Sequence, residues 1–196
     1  MQSFLRKIQI DIATQQLHLL ERPVSSPPSD AGLPSPEATG APEEEREEPW
    51  RLVASFPISS SAHGLGSEPG SLKTPLGRFT VAEKIGDDAP LGAVFKSRVP
   101  TGDVAAPENP GSDDDLVTTR ILWLSGVESH NANTRERYIY IHGTNHEESI
   151  GEPTSHGCIR MRNTDIAWLY NAVGPGTEVV IELPGSGDLR ESSKSA

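Results

Sequence analysis

Ile8, Ile10 and Ile12 alternate with Lys7, Gln9 and Asp11, and a few residues later Leu17 and Leu19 alternate with Gln16 and His18. A period of two places one set on each face of a strand, so the runs predict a β-hairpin with its tip near Thr14. Residues 50–58 read as a further strand. A glycine-rich crossing through Gly64, Gly66 and Gly70 follows, and within residues 73–81 Pro75 and Gly77 set a turn into the next strand. Residues 119–124 and 137–142, rich in Ile, Leu, Trp and Tyr, predict two more strands, and residues 177–183 the last. The single helical stretch is 165–173, with Asn163 or Thr164 as its cap and Gly174-Pro175 as its stop. The pattern predicts a mainly β fold with one or two short helices.

Composition supports this reading: 18 Gly and 17 Pro in 196 residues suit short strands joined by turns. No shift in composition marks a second core, so residues 1–183 are expected to form one domain. Residues 25–49 have Leu33 as their only large aliphatic side chain and predict a disordered insertion. Residues 100–116 read as an acidic loop, and 184–196 as a flexible polar tail. The net charge of −11 resides in the two inserted segments, and the remaining residues balance. That distribution leaves no basic field and argues against a nucleic-acid partner. No apolar run approaches the ~20 residues that span a bilayer, and the first residues lack the apolar stretch of a secretory signal.

One cysteine excludes an internal disulfide and makes its neighbours the centre of interest. Cys158 lies in Ser155-His156-Gly157-Cys158-Ile159-Arg160, and His142-Gly143-Thr144 precedes it. Alternation puts Tyr138, Tyr140 and His142 on one face of their strand, with His142 at its end and Gly143 opening a turn. The loop that follows can return Cys158 beside that strand end. A free thiol, with a pKa of about 8.5, needs a base, and His142 is the candidate, one ring nitrogen being held by a carbonyl such as that of Gly143. The peptide groups of His156, Gly157 and Cys158 can turn N–H donors towards one point and stabilise an oxyanion. Arg160 is a candidate to bind a substrate carboxylate or favour the thiolate, with Ser155 and Tyr140 beside it on the substrate side; for Tyr138 and Tyr140, packing is the plainer reading. His142, His146, His156, Cys158 and Glu147 contain the ligand types for zinc, but His142 and His146 share a face only on a helix, which the strand and Gly143 disfavour. No metal and no cofactor are expected.

At these residues the chain resembles the L,D-transpeptidase catalytic domain family, the YkuD-type enzymes of bacterial peptidoglycan. The resemblance rests on His142-Gly143-Thr144, Ile150-Gly151, Pro153, Ser155 to Met161 and the earlier Thr74-Pro75-Leu76-Gly77-Arg78-Phe79. It implies a β-sandwich or barrel-like body. It also implies a two-step acyl transfer, with Cys158 as nucleophile, His142 as proton carrier, the Gly143 carbonyl orienting its ring, Gly157 and Cys158 amides at the oxyanion, and His156 and Arg160 lining the acyl pocket. Peptidoglycan stem peptides would be the substrate, D-alanine the leaving group, and a carbapenem β-lactam a covalent inhibitor. The cell envelope or periplasm is the compartment that such a substrate implies. An L,D-carboxypeptidase of the same fold and an inactive wall-binding module are the alternatives.

Overall fold

The computed structural model describes residues 3–24, 48–105 and 114–184. Ten strands form one hydrogen-bonded sheet: β1 (Phe4–Asp11), β2 (Gln16–Pro23), β3 (Arg51–Pro57), β4 (Gly77–Ile85), β5 (Ala93–Lys96), β6 (Val99–Val104), β7 (Val117–Gly126), β8 (Tyr140–Gly143), β9 (Ile159–Met161) and β10 (Glu178–Glu182). The main path runs β3-β2-β1-β10-β4-β7-β5-β6, and β8 branches from β7 and carries β9. β1 with β10 and β8 with β9 are parallel; the other pairs are antiparallel. The fold is mainly β, with one helix, α1 (Asn163–Ala172), and two three-residue 3₁₀ turns.

The first hairpin forms as its alternation predicts. Ile8, Ile10, Leu17 and Leu19 are fully buried, and residues 12–15 make the turn. With Phe79, Val81, Leu122, Leu124, Ile141, Ile159, Val179 and Ile181 they form the core, closed by Ile166, Leu169 and Tyr170 of α1. Burial of each such side chain contributes about 1.5–3 kcal/mol. Tyr140 belongs to a second cluster, with Ala93, Phe95 and Ile121.

Three expectations need correction. The stretch read as an acidic loop from residue 100 begins inside β6, which pairs with β5 through a two-residue turn at Ser97-Arg98. The strand expected at 137–142 is shorter: Tyr138 takes a left-handed φ of 58°, and only from Tyr140 does the chain extend. Neither Asn163 nor Thr164 caps α1 with its side chain; Arg162 holds the cap position. Asn163 is instead drawn inward, where its Oδ1 accepts from the Thr118 and Thr119 hydroxyls and its Nδ2 donates to Thr144 O and Glu147 Oε1. Glu147 also accepts from the Asn163 amide at 2.8 Å, so a carboxylate from another segment satisfies the helix start. Residues 25–47 of the insertion expected over 25–49, residues 106–113 of the acidic segment and residues 185–196 of the tail expected from 184 lie outside the described residues. Among the described residues no helix is long and apolar enough to cross a membrane.

Candidate active site

A parallel strand pair needs a crossover of a dozen or more residues, and 144–158 supplies it between β8 and β9. Backbone hydrogen bonds stitch that crossover to residues 58–62: Gly151 N to Ile58 O, Ser155 N to Ser60 O, Ala62 N to Ser155 O, and Ser59 with Arg160 in both directions. The register sets His142 opposite Arg160. Two residues back, just before β9 begins, the Cys158 sulfur meets the Tyr140 N–H and packs in the Tyr140 cluster, so alternation puts His142, Arg160, Tyr140 and Cys158 on one face of the sheet. Diagonal neighbours in such a pair have Cα atoms roughly 8 Å apart, within mutual reach of a thiol and an imidazole.

His142 is 3% exposed, and its Nδ1 lies 2.7 Å from the Gly143 carbonyl. A carbonyl only accepts, so Nδ1 carries the proton and Nε2 keeps its lone pair. Burial pushes the imidazole below its usual pKa, the Gly143 carbonyl opposing this in part, and neutral imidazole is the resting form. Gly143 is required by close approach: a Cβ there would stand 2.6 Å from Asn163 Oδ1 and 2.8 Å from Thr118 O.

Cys158 is half-buried, and its sulfur is held by the backbone of β8 and the residues before it. The thiol donates to Tyr138 O at 3.4 Å and accepts from Tyr140 N at 3.4 Å. Burial pushes the thiol up to about 12, against the Tyr140 N–H, which lowers it. The resting group is therefore a thiol. Gly157, at φ 120°, takes a conformation that a side chain would strain, and its carbonyl accepts from Thr74 Oγ1 at 3.0 Å. Its N–H points to Ser155 Oγ at 3.3 Å, and that hydroxyl donates to Cys158 O at 2.6 Å. Ser155 is buried and bonded within its own turn. Tyr140 is also buried, so it meets the sulfur through its backbone while its ring packs in the core.

Arg160 is 3% exposed, and its charge is met from inside the protein. Nη1 pairs with Asp115 at 3.0 Å, and Nη2 donates to Thr154 Oγ1 and, at 3.5 Å, to Ser59 Oγ. The carboxylate expected from a substrate is thus supplied by the chain's own Asp115. The second Asp115 oxygen lies 3.3 Å from Nδ1 of the exposed His156, whose ring is 5.7 Å from that of His63. A cleft of about 220 Å³ lies alongside, lined by Leu72, Asn133, Arg137, Ile139 and His156 among others. The zinc-type side chains are dispersed: His146 lies against Glu148 and the Asp114 carbonyl, and the Glu147 carboxylate is bonded to Asn163 at the start of α1. Among the described residues no group of three or more could hold a metal ion.

The sequence reading assigns Asp115 and Thr74 no role in the site, reads Asn163 as a helix cap and weighs Glu147 only as a metal ligand. Asp115 ends a run of three aspartates, and nothing in that run marks the one that turns inward. Thr74 was visible in the Thr74-Pro75-Leu76-Gly77 stretch, but its hydrogen bond to Gly157 depends on a contact distant in sequence.

The family model for the L,D-transpeptidase catalytic domain matches residues 44–181, well over half of the chain. The chain belongs to the L,D-transpeptidase catalytic domain family. "Putative L,D-transpeptidase YqjB" of Bacillus subtilis is 42% identical over 72 residues, 36% of this chain and 38% of that protein. "Probable L,D-transpeptidase YcfS" of Escherichia coli K12 is 31% identical over 136 residues, 67% of this chain and 38% of that protein. The chain spans less than half the length of these curated relatives. Among solved structures, the LD transpeptidase LdtMt1 in complex with imipenem aligns over 92% of this chain and 60% of that one, at 16% identity and a TM-score of 0.49.

Proposed function

We propose that this chain is a peptidoglycan L,D-transpeptidase that works through a Cys158 thioester. The observation that carries the reading is the Nδ1 bond to Gly143 O, which fixes the His142 tautomer and leaves Nε2 free to accept on the face that Cys158 shares. As substrate enters, the thiol proton passes to His142 Nε2 while the sulfur attacks the carbonyl that precedes the terminal D-alanine of a tetrapeptide stem. The tetrahedral oxyanion is met by backbone N–H donors at Gly157 and Cys158, and for the Gly157 donor it competes with Ser155 Oγ. Collapse breaks the C–N bond, the imidazolium gives its proton to the departing amine, and the acyl group remains on sulfur. An amine of a second stem then gives a proton to His142, attacks the thioester and restores the thiol. Water in place of that amine makes the reaction a carboxypeptidase one.

In this mechanism Arg160 acts from within the site, holding β9 and the crossover through Asp115, Thr154 and Ser59 while adding positive charge beside the imidazole. Stem peptides place the work in the cell envelope. Intact-mass analysis with a carbapenem tests the nucleophile: the wild type gains one covalent adduct, and Cys158→Ala gains none and releases no D-alanine from tetrapeptide stems. Turnover by Cys158→Ala at the wild-type rate overturns the proposal. Sedimentation with sacculi without adduct or change in stem composition assigns the chain to wall binding instead.

A further inference from the structure

Three arginines stand near the cysteine or near the tyrosines that hold its sulfur, and two, Arg160 and Arg137, act on the thiol itself and are already committed. Arg160 is enclosed by Asp115, Thr154 and Ser59. Arg137 donates to the Gly66 and Lys73 carbonyls and the Ser71 hydroxyl, which ties the glycine-rich crossing to the site. The third, Arg98, differs from both. Its guanidinium lies 4.6 Å from the Trp123 ring centre and 5.0 Å from that of Tyr138, and it donates to the Tyr140 hydroxyl at 3.1 Å. Arg135, also over Trp123, at 4.7 Å, is paired with Glu83. Among the described residues no carboxylate is hydrogen-bonded or ion-paired to Arg98; Glu83, which attracts it, is paired with Arg135.

The position of Arg98 is tied closely to the sulfur. The two tyrosines that it engages are those whose backbone groups hold Cys158 Sγ, Tyr138 through its carbonyl and Tyr140 through its amide. Its own backbone is strained: Ser97 at φ 49° and Arg98 at φ 71° form the β5–β6 turn where Asn-Gly is the usual solution. Tyr138, at φ 58° and half exposed, adds a third left-handed residue to the same patch. Non-glycine residues held in this region, one of them bonded to the sulfur and another stacked on its ring, point to a required side chain rather than a convenient turn. An arginine lying on aromatic rings keeps in-plane N–H groups available beyond the one that Arg98 gives to Tyr140, and such an edge matches a carboxylate with two parallel hydrogen bonds.

We propose that Arg98 is a specificity-determining residue, its guanidinium receiving a carboxylate of the donor peptide beside Cys158. This rests on the transpeptidase reading, in which the donor is anionic. Two sources share the chemistry: the terminal carboxylate of the departing residue and a side-chain carboxylate on the residue that gives the acyl group.

The test measures kcat/KM of the full chain and of Arg98→Gln and Arg98→Lys on three tetrapeptide donors: fully ionised, amidated at the side-chain carboxyl, and amidated at the terminus. Arg98→Gln should lose about tenfold to a hundredfold on the fully ionised donor, the span of a lost charge-assisted hydrogen bond. It should lose nothing on the donor whose contacted carboxylate is amidated, which identifies the source. Arg98→Lys should recover part of the loss, and near-UV circular dichroism should match the wild type. Equal loss on all three donors makes Arg98 a framework residue and overturns the proposal, as does no loss on any. A wild type inert on every donor overturns the transpeptidase reading itself, and the inference with it.

Discussion

Asp115→Asn is the most informative perturbation of the site, because it removes one charge and nearly nothing else. Asp115 holds a guanidinium that is 3% exposed, and the remaining partners of that group, Thr154 and Ser59, are neutral hydroxyls. Removing one member of a buried ion pair costs about 3–5 kcal/mol, because the other charge is left without compensation. The Asp115 side chain is 23% exposed, so water can share the task and the expected loss falls to about 2–3 kcal/mol. For a chain of this size, with about 2–4 °C per kcal/mol, the melting temperature should fall by about 5–10 °C. Thermal unfolding at neutral pH measures it. A double-mutant cycle with Arg160→Met decides the cause: without the buried cation, Asp115→Asn should cost no more than about 0.5 kcal/mol. An equal cost in both backgrounds, or a cost below about 0.5 kcal/mol in the wild type, refutes the reasoning.

The same variant has a functional signature with a defined sign. The Asp115 charge favours the His142 imidazolium and the Arg160 charge opposes it, while burial has the largest effect and pushes the imidazole down. Without Asp115 the imidazolium is disfavoured further and His142 stays neutral to a lower pH. The acid limb of the rate profile should therefore move to lower pH, by less than burial alone already displaces it. A shift to higher pH contradicts the arrangement of charges.

Two further outcomes follow from the pair itself. With the thiol pushed up to about 12, alkylation of Cys158 by iodoacetamide should rise steadily from pH 7 to pH 10, following the thiolate fraction; a plateau below pH 8 would reveal a resting thiolate and contradict the burial argument. Gly143→Ala forces a Cβ against Asn163 and Thr118 and displaces the carbonyl that orients His142, so the kcat for D-alanine release should fall at least about tenfold, whereas a loss under twofold would show that the carbonyl is dispensable.

Legibility in the sequence followed the range of the interactions. Ile8, Ile10, Leu17 and Leu19 declared their hairpin because alternation is local and the core reads it directly. Cys158 and His142 were visible as candidates because short motifs carry them, and the alternation that sets Tyr140 and His142 on one side of their strand is present in β8. The β5–β6 hairpin was not, since Ser97-Arg98 has none of the glycine or asparagine that marks a tight turn. Asp115 looked like solvation because its partner Arg160 lies 45 residues away. Asn163 had the composition of a cap and lost that role to Thr118, Thr119 and Glu147, three partners in two other segments. Burial pairs polar groups across the chain, and no single window of sequence contains both members.

Burial moves the two reactive groups in opposite directions, the thiol up and the imidazole down, which is the reverse of what a resting thiolate–imidazolium pair requires. In the proposed mechanism charge must therefore appear only as the sulfur–carbon bond forms, when the developing imidazolium and oxyanion can each be met by groups already in place. The imidazolium finds Gly143 O at Nδ1 and the Asp115 carboxylate nearby, while the Arg160 charge that opposes it is already matched. The oxyanion finds an N–H at Gly157 that now rests on a neutral serine hydroxyl, a partner that it can displace with gain because a charged acceptor is stronger. Under the proposed mechanism, a site built this way would protect its cysteine from adventitious alkylation and oxidation, both of which need thiolate, and would reserve its nucleophilicity for an acyl group seated between Cys158 and His142.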